Sequence, residues 1–433
     1  MKLPQIVTDS PIKIDRLVPG GQGITTTAEG IKGFFWNALP GETVKKYEIT
    51  KKKSHYFLAS ALEIENPSSH RIEPKDSCYL STSPWQIMDY PYELDQKSKL
   101  LIEVFRQHGI GYLRAVSLAS DSRSSTQPEL CREPSRARSG ECSPRIGLAQ
   151  GLANSQFRVA TDSKDFYYRN KMEYSLYFDY ETEKLSLGFH QRGTHRKIKV
   201  ETSSIERPEI FKKASEIVAE LNAEKTDGRK YQSLLLRSDR NGKVEGGFYE
   251  NRKPHPVFNN LTDKILGKTY SYSPNGFFQI NLPVYEMALK EIKKHIKTEE
   301  VLDLYAGVGT IGLSVASDKN LTLVEVDKSA YQELENNAKD HKTILEKSEN
   351  ITELIKPTQT VIVDPPRAGL DIKLIEKFLE TPPETIIYLS CNPATQARDV
   401  KLLEEKYQIE KIQPFNFFPR TPHLENLIIL KRK

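Results

Sequence analysis

The chain has only 4 cysteines in 433 residues, Cys78, Cys131, Cys142 and Cys391. That is too few for a disulfide scaffold in a protein of this size and fits a reducing compartment. Apolar runs long enough to span a bilayer are absent, and the opening Met1-Lys2-Leu3-Pro4-Gln5 lacks the apolar stretch of a signal peptide. No membrane and a cytoplasmic location are therefore expected. A strong excess of one charge is also missing: the formal net charge is +5. This permits nucleic-acid binding without demanding it, and leaves an acidic small-molecule substrate open. No internal repeat stands out. What remains is an ordinary balance of 37% hydrophobic and 28% charged residues, in a chain long enough for two or three domains.

Chemistry concentrates in the last third. The apolar run Thr385 to Leu389 leads into Ser390-Cys391-Asn392-Pro393, so a cysteine falls where a buried strand opens onto a loop. A thiolate there could attack a soft electrophilic carbon, since ligands bind at that rim of an open α/β sheet. A small core residue is the bland reading of a lone cysteine. Upstream, Val301-Leu302-Asp303-Leu304-Tyr305-Ala306-Gly307-Val308-Gly309-Thr310-Ile311-Gly312 reads as a strand, a glycine turn and a helix start. Gly307 and Gly309 let the backbone turn tightly against a nucleotide-like ligand, though a dinucleotide would suit the spacing about as well. The next strand, Leu321 to Val326, carries Glu325, placed to accept hydrogen bonds from ribose hydroxyls.

A further strand, Thr360 to Val363, runs into Asp364-Pro365-Pro366-Arg367. The two prolines stiffen the backbone after the carboxylate, although an ordinary strand-ending turn would look similar. Phe418-Pro419-Arg420-Thr421-Pro422-His423-Leu424-Glu425 then precedes a closing strand, which could return the Glu425 carboxylate beside Cys391. With Gly276-Phe277-Phe278-Gln279-Ile280-Asn281, these elements resemble the RNA uracil-5-methyltransferase family, whose pattern includes Asp-Pro-Pro-Arg, Ser-Cys-Asn-Pro, Pro-x-Thr-x-His-x-Glu and Phe-Phe-Gln-x-Asn. The likeness is clear over Tyr270 to Leu430 and weaker before it.

The resemblance implies a class I methyltransferase sheet, doubly wound and Rossmann-like, that uses S-adenosyl-L-methionine. It implies cofactor contacts from Gln279, Tyr305, Gly307, Gly309, Glu325 and Asp364, a nucleophile in Cys391, a general base in Glu425 and a base-orienting role for Asp364. RNA is the implied partner, with 23S ribosomal RNA expected first and a transfer-RNA loop uridine second, and the enzyme is expected to be a monomer. A cytosine-5 methyltransferase would use the same covalent logic, but its Pro-Cys-Gln or Thr-Cys context is not seen around Cys391. A non-catalytic RNA-binding factor would have little need for Cys391, Asp364 and Glu425 together. A small-molecule methyltransferase would leave the extra β domains unexplained.

Residues 1–65 read as short strands between turns, with Val18-Pro19-Gly20-Gly21-Gln22-Gly23 and Leu39-Pro40-Gly41-Glu42, and resemble the TRAM module, an OB-like β-barrel. Residues 66–260 should form a central antiparallel β domain, and 261–433 the catalytic domain, with a helix over Leu94 to His108 packing on the latter. In the central part, Tyr168-Arg169-Asn170-Lys171 matches a family signature, and Gly188 to Lys197 gathers cations and aromatics around Arg192. Arg169, Lys171 and Arg192 are thus candidates for an RNA wall, and Phe277 for stacking on the target base; a half-exposed structural sheet is the competing account. Residues 117–150 are rich in Ser, Arg, Pro and Gly and read as a mobile surface insert. Its Cys131 and Cys142 lack companion histidines at zinc spacing.

Some family members carry an iron–sulfur cluster held in part by Cys-Gly-Gly-Cys. Here the corresponding stretch is Cys78-Tyr79-Leu80-Ser81-Thr82-Ser83-Pro84-Trp85-Gln86, and Ser203-Ser204 stand near where a further ligand would fall. Purified protein is therefore predicted to contain no cluster. Stoichiometric iron and sulfide, with visible absorption, would refute this.

Overall fold

The computed structural model describes residues 5–8, 10–110, 157–192, 196–250, 253–255 and 258–433. The insert expected at 117–150, with Cys131 and Cys142, lies outside the described residues.

The first strands close into a ring. Segment Ile12–Leu17 pairs with two partners in succession: Ile12 and Lys13 lie opposite Val44 and Thr43, and Arg16 and Leu17 lie opposite Ile24 and Gly23. Backbone bonds from Ile14 N to Glu42 O and from Asp15 N to Ile24 O carry the pairing across the changeover. Strands Gly23–Thr26, Lys32–Trp36, Tyr56–Asn66 and Thr43–Lys52 complete the circuit, with the Lys32–Trp36 and Tyr56–Asn66 pair parallel. This is OB-like topology. Phe35, Val44, Tyr47 and Phe57 fill its interior.

The central unit is a six-stranded antiparallel sheet in the order Lys197–Lys199, Lys184–His190, Lys171–Asp179, Ser233–Ser238, Val244–Glu250, Lys253–His255. Helix Pro208–Ala223 covers one face with Ile210, Ala214, Val218 and Leu221, a stripe of helical period.

The C-terminal sheet runs Lys342–Leu345, Asn320–Glu325, Glu300–Leu304, Gln359–Val363, Thr385–Ser390, Glu425–Arg432, Tyr407–Phe415. Numbered along the chain, that order is 3-2-1-4-5-7-6, with the seventh strand antiparallel to both neighbours. Its central strands are buried along almost their whole length because helices cover both faces. Strand order reverses between Glu300–Leu304 and Gln359–Val363, so a crevice opens at their carboxyl ends.

The helix expected over 94–108 begins earlier, as Tyr90–Gln107. The Asp89 carboxylate caps it by accepting from Tyr92 N at 2.8 Å, and Pro91 occupies the first turn. Leu101, Val104 and Phe105 enter the core beneath the C-terminal sheet together with Phe157 and Val159. The central stretch of sequence thus contributes part of the catalytic core. Helix Leu282–Lys294 buries Val284, Ala288 and Ile292, and Ile296 lies past its end.

Trp85 joins the three units. Its ring is buried against Leu17 and Leu39 of the barrel, Nε1 donates to Gly21 O at 2.9 Å, and its backbone N–H donates to Arg420 O at 3.1 Å. Trp85→Ala is expected to cost about 3–5 kcal/mol. Trp85→Phe, which loses the indole N–H and the volume of one ring, should cost about 1–3 kcal/mol. Denaturant unfolding measures both.

Candidate active site

Four strand ends meet at one edge of the C-terminal sheet. Leu304 pairs with Val363, so Tyr305 and Asp364 leave adjacent strands together. Ser390 pairs with Asn426 in antiparallel register, so the next residues out, Cys391 and Glu425, face one another across the strand ends. Such pairs have Cα atoms about 4.5–5.5 Å apart. A cavity of about 1480 Å³ opens here, lined at one end by Tyr305, Gly307 and Glu325 and at the other by Cys391, His423 and Glu425. Asp364 and Gln279 line it as well.

At the Tyr305 end the backbone is shaped for a ligand. Tyr305, Gly307 and Gly309 all have positive φ, at 63°, 57° and 87°. Gly312 has no room for a side chain: a Cβ there would stand 2.6 Å from the Asp303 carboxylate, which accepts the Gly312 N–H at 2.8 Å. Burial pushes Asp303 up to about 7, with Asp364 and Glu325 adding to the effect. Glu325 is held by three backbone donors, Gly307 N on Oε2 and Val326 N and Asp327 N on Oε1. Oε2 keeps a lone pair for a ligand hydroxyl. A carboxylate with spare acceptor capacity beside a glycine turn fits the ribose of a nucleoside such as S-adenosylmethionine.

The Cys391 end is a cluster of acids with one cation. Burial, reinforced by Glu425 and Asp364, pushes the Cys391 thiol up to about 11, and Arg367 opposes the shift through its charge and a hydrogen bond. Burial raises the Asp364 carboxyl, and raises Glu425 further, where Asp364 adds and Arg367 opposes. The two carboxyls therefore hold a proton more readily than isolated ones. Arg367 Nη2 also donates to His423 Nδ1 at 3.4 Å, and burial, together with Arg367 and more distant cations, lowers His423 to about 4. The imidazole is neutral at pH 7, with its proton on Nε2. Asn392 caps helix Pro393–Leu403 and donates through Nδ2 to Arg367 O at 2.8 Å, fixing the two loops to each other.

The remaining candidates divide. Phe277 stands on the cavity rim with 73% of its surface exposed, and Arg169 lines the same cavity. Lys171 is not a lining residue: its Nζ donates to Asn275 O and Gly276 O, holding the Phe277 loop, and burial lowers it to about 8. Arg192 lies elsewhere, over the Trp36 ring at 4.5 Å, with Nε donating to Leu80 O. Arg367, Phe418 and His423 line the cavity without having been singled out, although each sits inside a motif that was. Cys78 is buried, with Sγ 3.7 Å from Thr202 O, and the serines near it bind carboxylates: Ser204 Oγ donates to Asp76 and Ser203 Oγ to Glu206. Among the described residues no group of three or more His, Cys, Asp or Glu is placed to hold a metal ion.

The strand order and crevice are those of a class I methyltransferase. Residues 259–433 match a family model described as tRNA (Uracil-5-)-methyltransferase. An RNA methyltransferase of Prochlorococcus marinus is 29% identical over 91% of this chain and 99% of its own length. One from Enterococcus faecalis is 39% identical over 40% of this chain and 41% of its own. The tRNA (uracil-54, C5)-methyltransferase of Pyrococcus abyssi, solved with S-adenosyl-L-homocysteine, superposes with a TM-score of 0.70 at 21% identity, covering 98% of this chain and 100% of that one. Over residues 259–433 the chain is therefore similar to the tRNA (Uracil-5-)-methyltransferase family.

The site predicts its own reactivity toward a thiol reagent. Because the folded-state thiol titrates near 11, Cys391 is protonated at pH 7. Its alkylation by iodoacetamide should rise about tenfold per pH unit below that value. Arg367→Met should raise the pKa and slow alkylation at pH 9, and Glu425→Gln should lower it and speed alkylation. Peptide mass mapping at Cys391 reads both, and equal rates in the two variants would remove the electrostatic account.

Proposed function

We propose that the protein methylates C5 of a uridine in structured RNA through a covalent Cys391–uracil intermediate. The observation that carries this is the strand register that sets Cys391 opposite Glu425, next to Asp364, at one end of the cavity that holds Glu325 at the other.

Uracil C5 is a weak nucleophile. The Cys391 thiol, protonated at rest, gives up its proton to solvent, and the thiolate adds to C6, forming a C–S bond and pushing the ring electron pair toward C5 and the O4 enolate. S-adenosylmethionine, when bound, supplies a methyl group on a sulfonium centre that the activated C5 can take. Glu425, as carboxylate, then removes the C5 proton; the electron pair re-forms the C5–C6 double bond and the C6–S bond breaks. Asp364 orients the base, and Phe277 stacks on it once it leaves its loop, an extrusion that costs a few kcal/mol and less for an unpaired base. Arg367 is the cation available to favour the thiolate.

Gln279, Tyr305, Gly307, Gly309, Glu325 and Asp364 form the proposed cofactor contacts, and Arg169 a phosphate contact. Lys171 is better placed to hold the Phe277 loop than to meet RNA, and Arg192 to tie the central sheet to the barrel. For the target, the OB-like barrel supports a 23S ribosomal RNA uridine. The description of the matching family model and the Pyrococcus abyssi enzyme support a transfer-RNA loop uridine. Mapping 5-methyluridine in both RNAs, with and without the protein, decides between them. Three units read along the chain, at 1–65, 66–260 and 261–433, are proposed as RNA-binding, RNA-binding and catalytic, in a monomer. Among the described residues no helix is long and apolar enough to cross a membrane.

Two variants test the chemistry. Cys391→Ala should form neither 5-methyluridine nor a protein–RNA adduct. Glu425→Gln should lose about 10²–10⁴ in turnover while accumulating an adduct that survives denaturation. Wild-type protein should be trapped in the same way on RNA containing 5-fluorouridine. Full methylation by Cys391→Ala, or an adduct through Cys131 or Cys142, would overturn the assignment.

A further inference from the structure

A cluster of buried charge lies outside the cavity, on helix Tyr90–Gln107. Glu93 and Lys97, one turn apart, form an ion pair at 2.9 Å with both side chains fully buried. A helix needing only to pack would have apolar residues there, because desolvating two charges is costly unless their remaining hydrogen-bonding groups are satisfied. Here they are satisfied by a single loop. Glu93 accepts the Arg420 N–H on both oxygens at 3.1 Å and the Asn416 amide at 3.2 Å. Lys97 Nζ donates to Asn416 Oδ1 at 2.6 Å and to Phe418 O at 3.1 Å.

The loop needs holding. Arg420 is a non-glycine residue at φ 63°, a sparsely populated conformation that persists only where surroundings enforce it. Its N–H is the group shared between the Glu93 oxygens, while its guanidinium donates to Met88 O and pairs with Asp165. From this fixed point the chain runs on through His423 to Glu425. The cofactor end of the cavity is built by strands that the pair does not touch.

We infer that Glu93 and Lys97 are positioning residues for the proton-abstraction step: they fix the 416–420 segment so that Glu425 meets the C5 proton. This rests on the covalent reading above. Misplacement by about 1 Å is enough to cost roughly 10²-fold in rate, and the loss should fall on one step. Cofactor binding and methyl transfer should persist while release of the covalent adduct slows.

The test uses the full chain carrying Glu93→Gln and Lys97→Met together, which removes the ion pair without leaving a lone buried charge. Expected are S-adenosylmethionine affinity and RNA KM within about threefold of wild type, kcat lowered by about 10–100-fold, and adduct accumulating on unmodified RNA. Asn416→Ala, which deletes the loop-side partner of both residues, should give the same pattern more weakly, and it decides the matter if the double variant does not fold. Wild-type kcat, or a kcat loss matched by equal losses in cofactor affinity and thermal stability without adduct, overturns the positioning role. Methylation by Cys391→Ala would sink the covalent reading and the proposal with it. Adduct on 5-fluorouridine RNA without accumulation in the double variant sinks the positioning role alone.

Discussion

The antiparallel pairing of Thr385–Ser390 with Glu425–Arg432 is the constraint on which the site depends. Side chains alternate along a strand, so a slip of one residue would move every side chain of the closing strand into the core on the opposite face. Leu427, Ile428, Ile429 and Leu430 are each at most 1% exposed, packed into the cores on the two faces of the sheet. Hydrophobic burial therefore enforces the register, and the register brings the Glu425 backbone opposite Cys391. Two polar groups that would be costly to place directly are located as a by-product of apolar packing.

Loops at that edge cannot be fixed in this way, and buried cations hold them instead. Arg237, 0% exposed, donates to Gly276 O and Phe278 O and stacks on Tyr272, securing the loop that presents Phe277. Lys171 shares the Gly276 carbonyl. On the opposite wall Lys97 serves Asn416 and Phe418. Each cation satisfies carbonyls that a loop would otherwise leave unpaired, so rigidity comes from elements remote in sequence from the loops they hold.

Much of the catalytic sheet was legible because its signals are local: apolar runs of strand length, glycines where positive φ is needed, prolines behind a carboxylate. The cavity residues Gln279, Tyr305, Glu325, Asp364, Cys391 and Glu425 all lay inside such motifs. Arg192 shows what local reading leaves out. A cation among aromatics suggests RNA contact, but its ring partner proved to be Trp36, far away in sequence. Lys171 is similar, its acceptors lying 104 and 105 residues on. Glu93 and Lys97 gave no sign at all, since an acid and a lysine four apart on a helix most often describe a solvated face. Burial decides what such a pair does, and burial is a property of the folded chain.

The same helix sets a condition on biosynthesis. Glu93 and its partner Arg420 are 327 residues apart. At about 5–20 residues per second, a ribosome takes roughly 15–65 seconds to make the intervening chain. Throughout that interval Leu101, Val104 and Phe105 have no finished sheet to cover them, and two side chains destined for a dry interior remain hydrated. The barrel can close as soon as Asn66 has emerged, since its pairing is complete by that residue. Completion of the methyltransferase sheet must await the last strand, so the nascent protein passes through a stage with its N-terminal module folded and its longest described helix waiting for a partner.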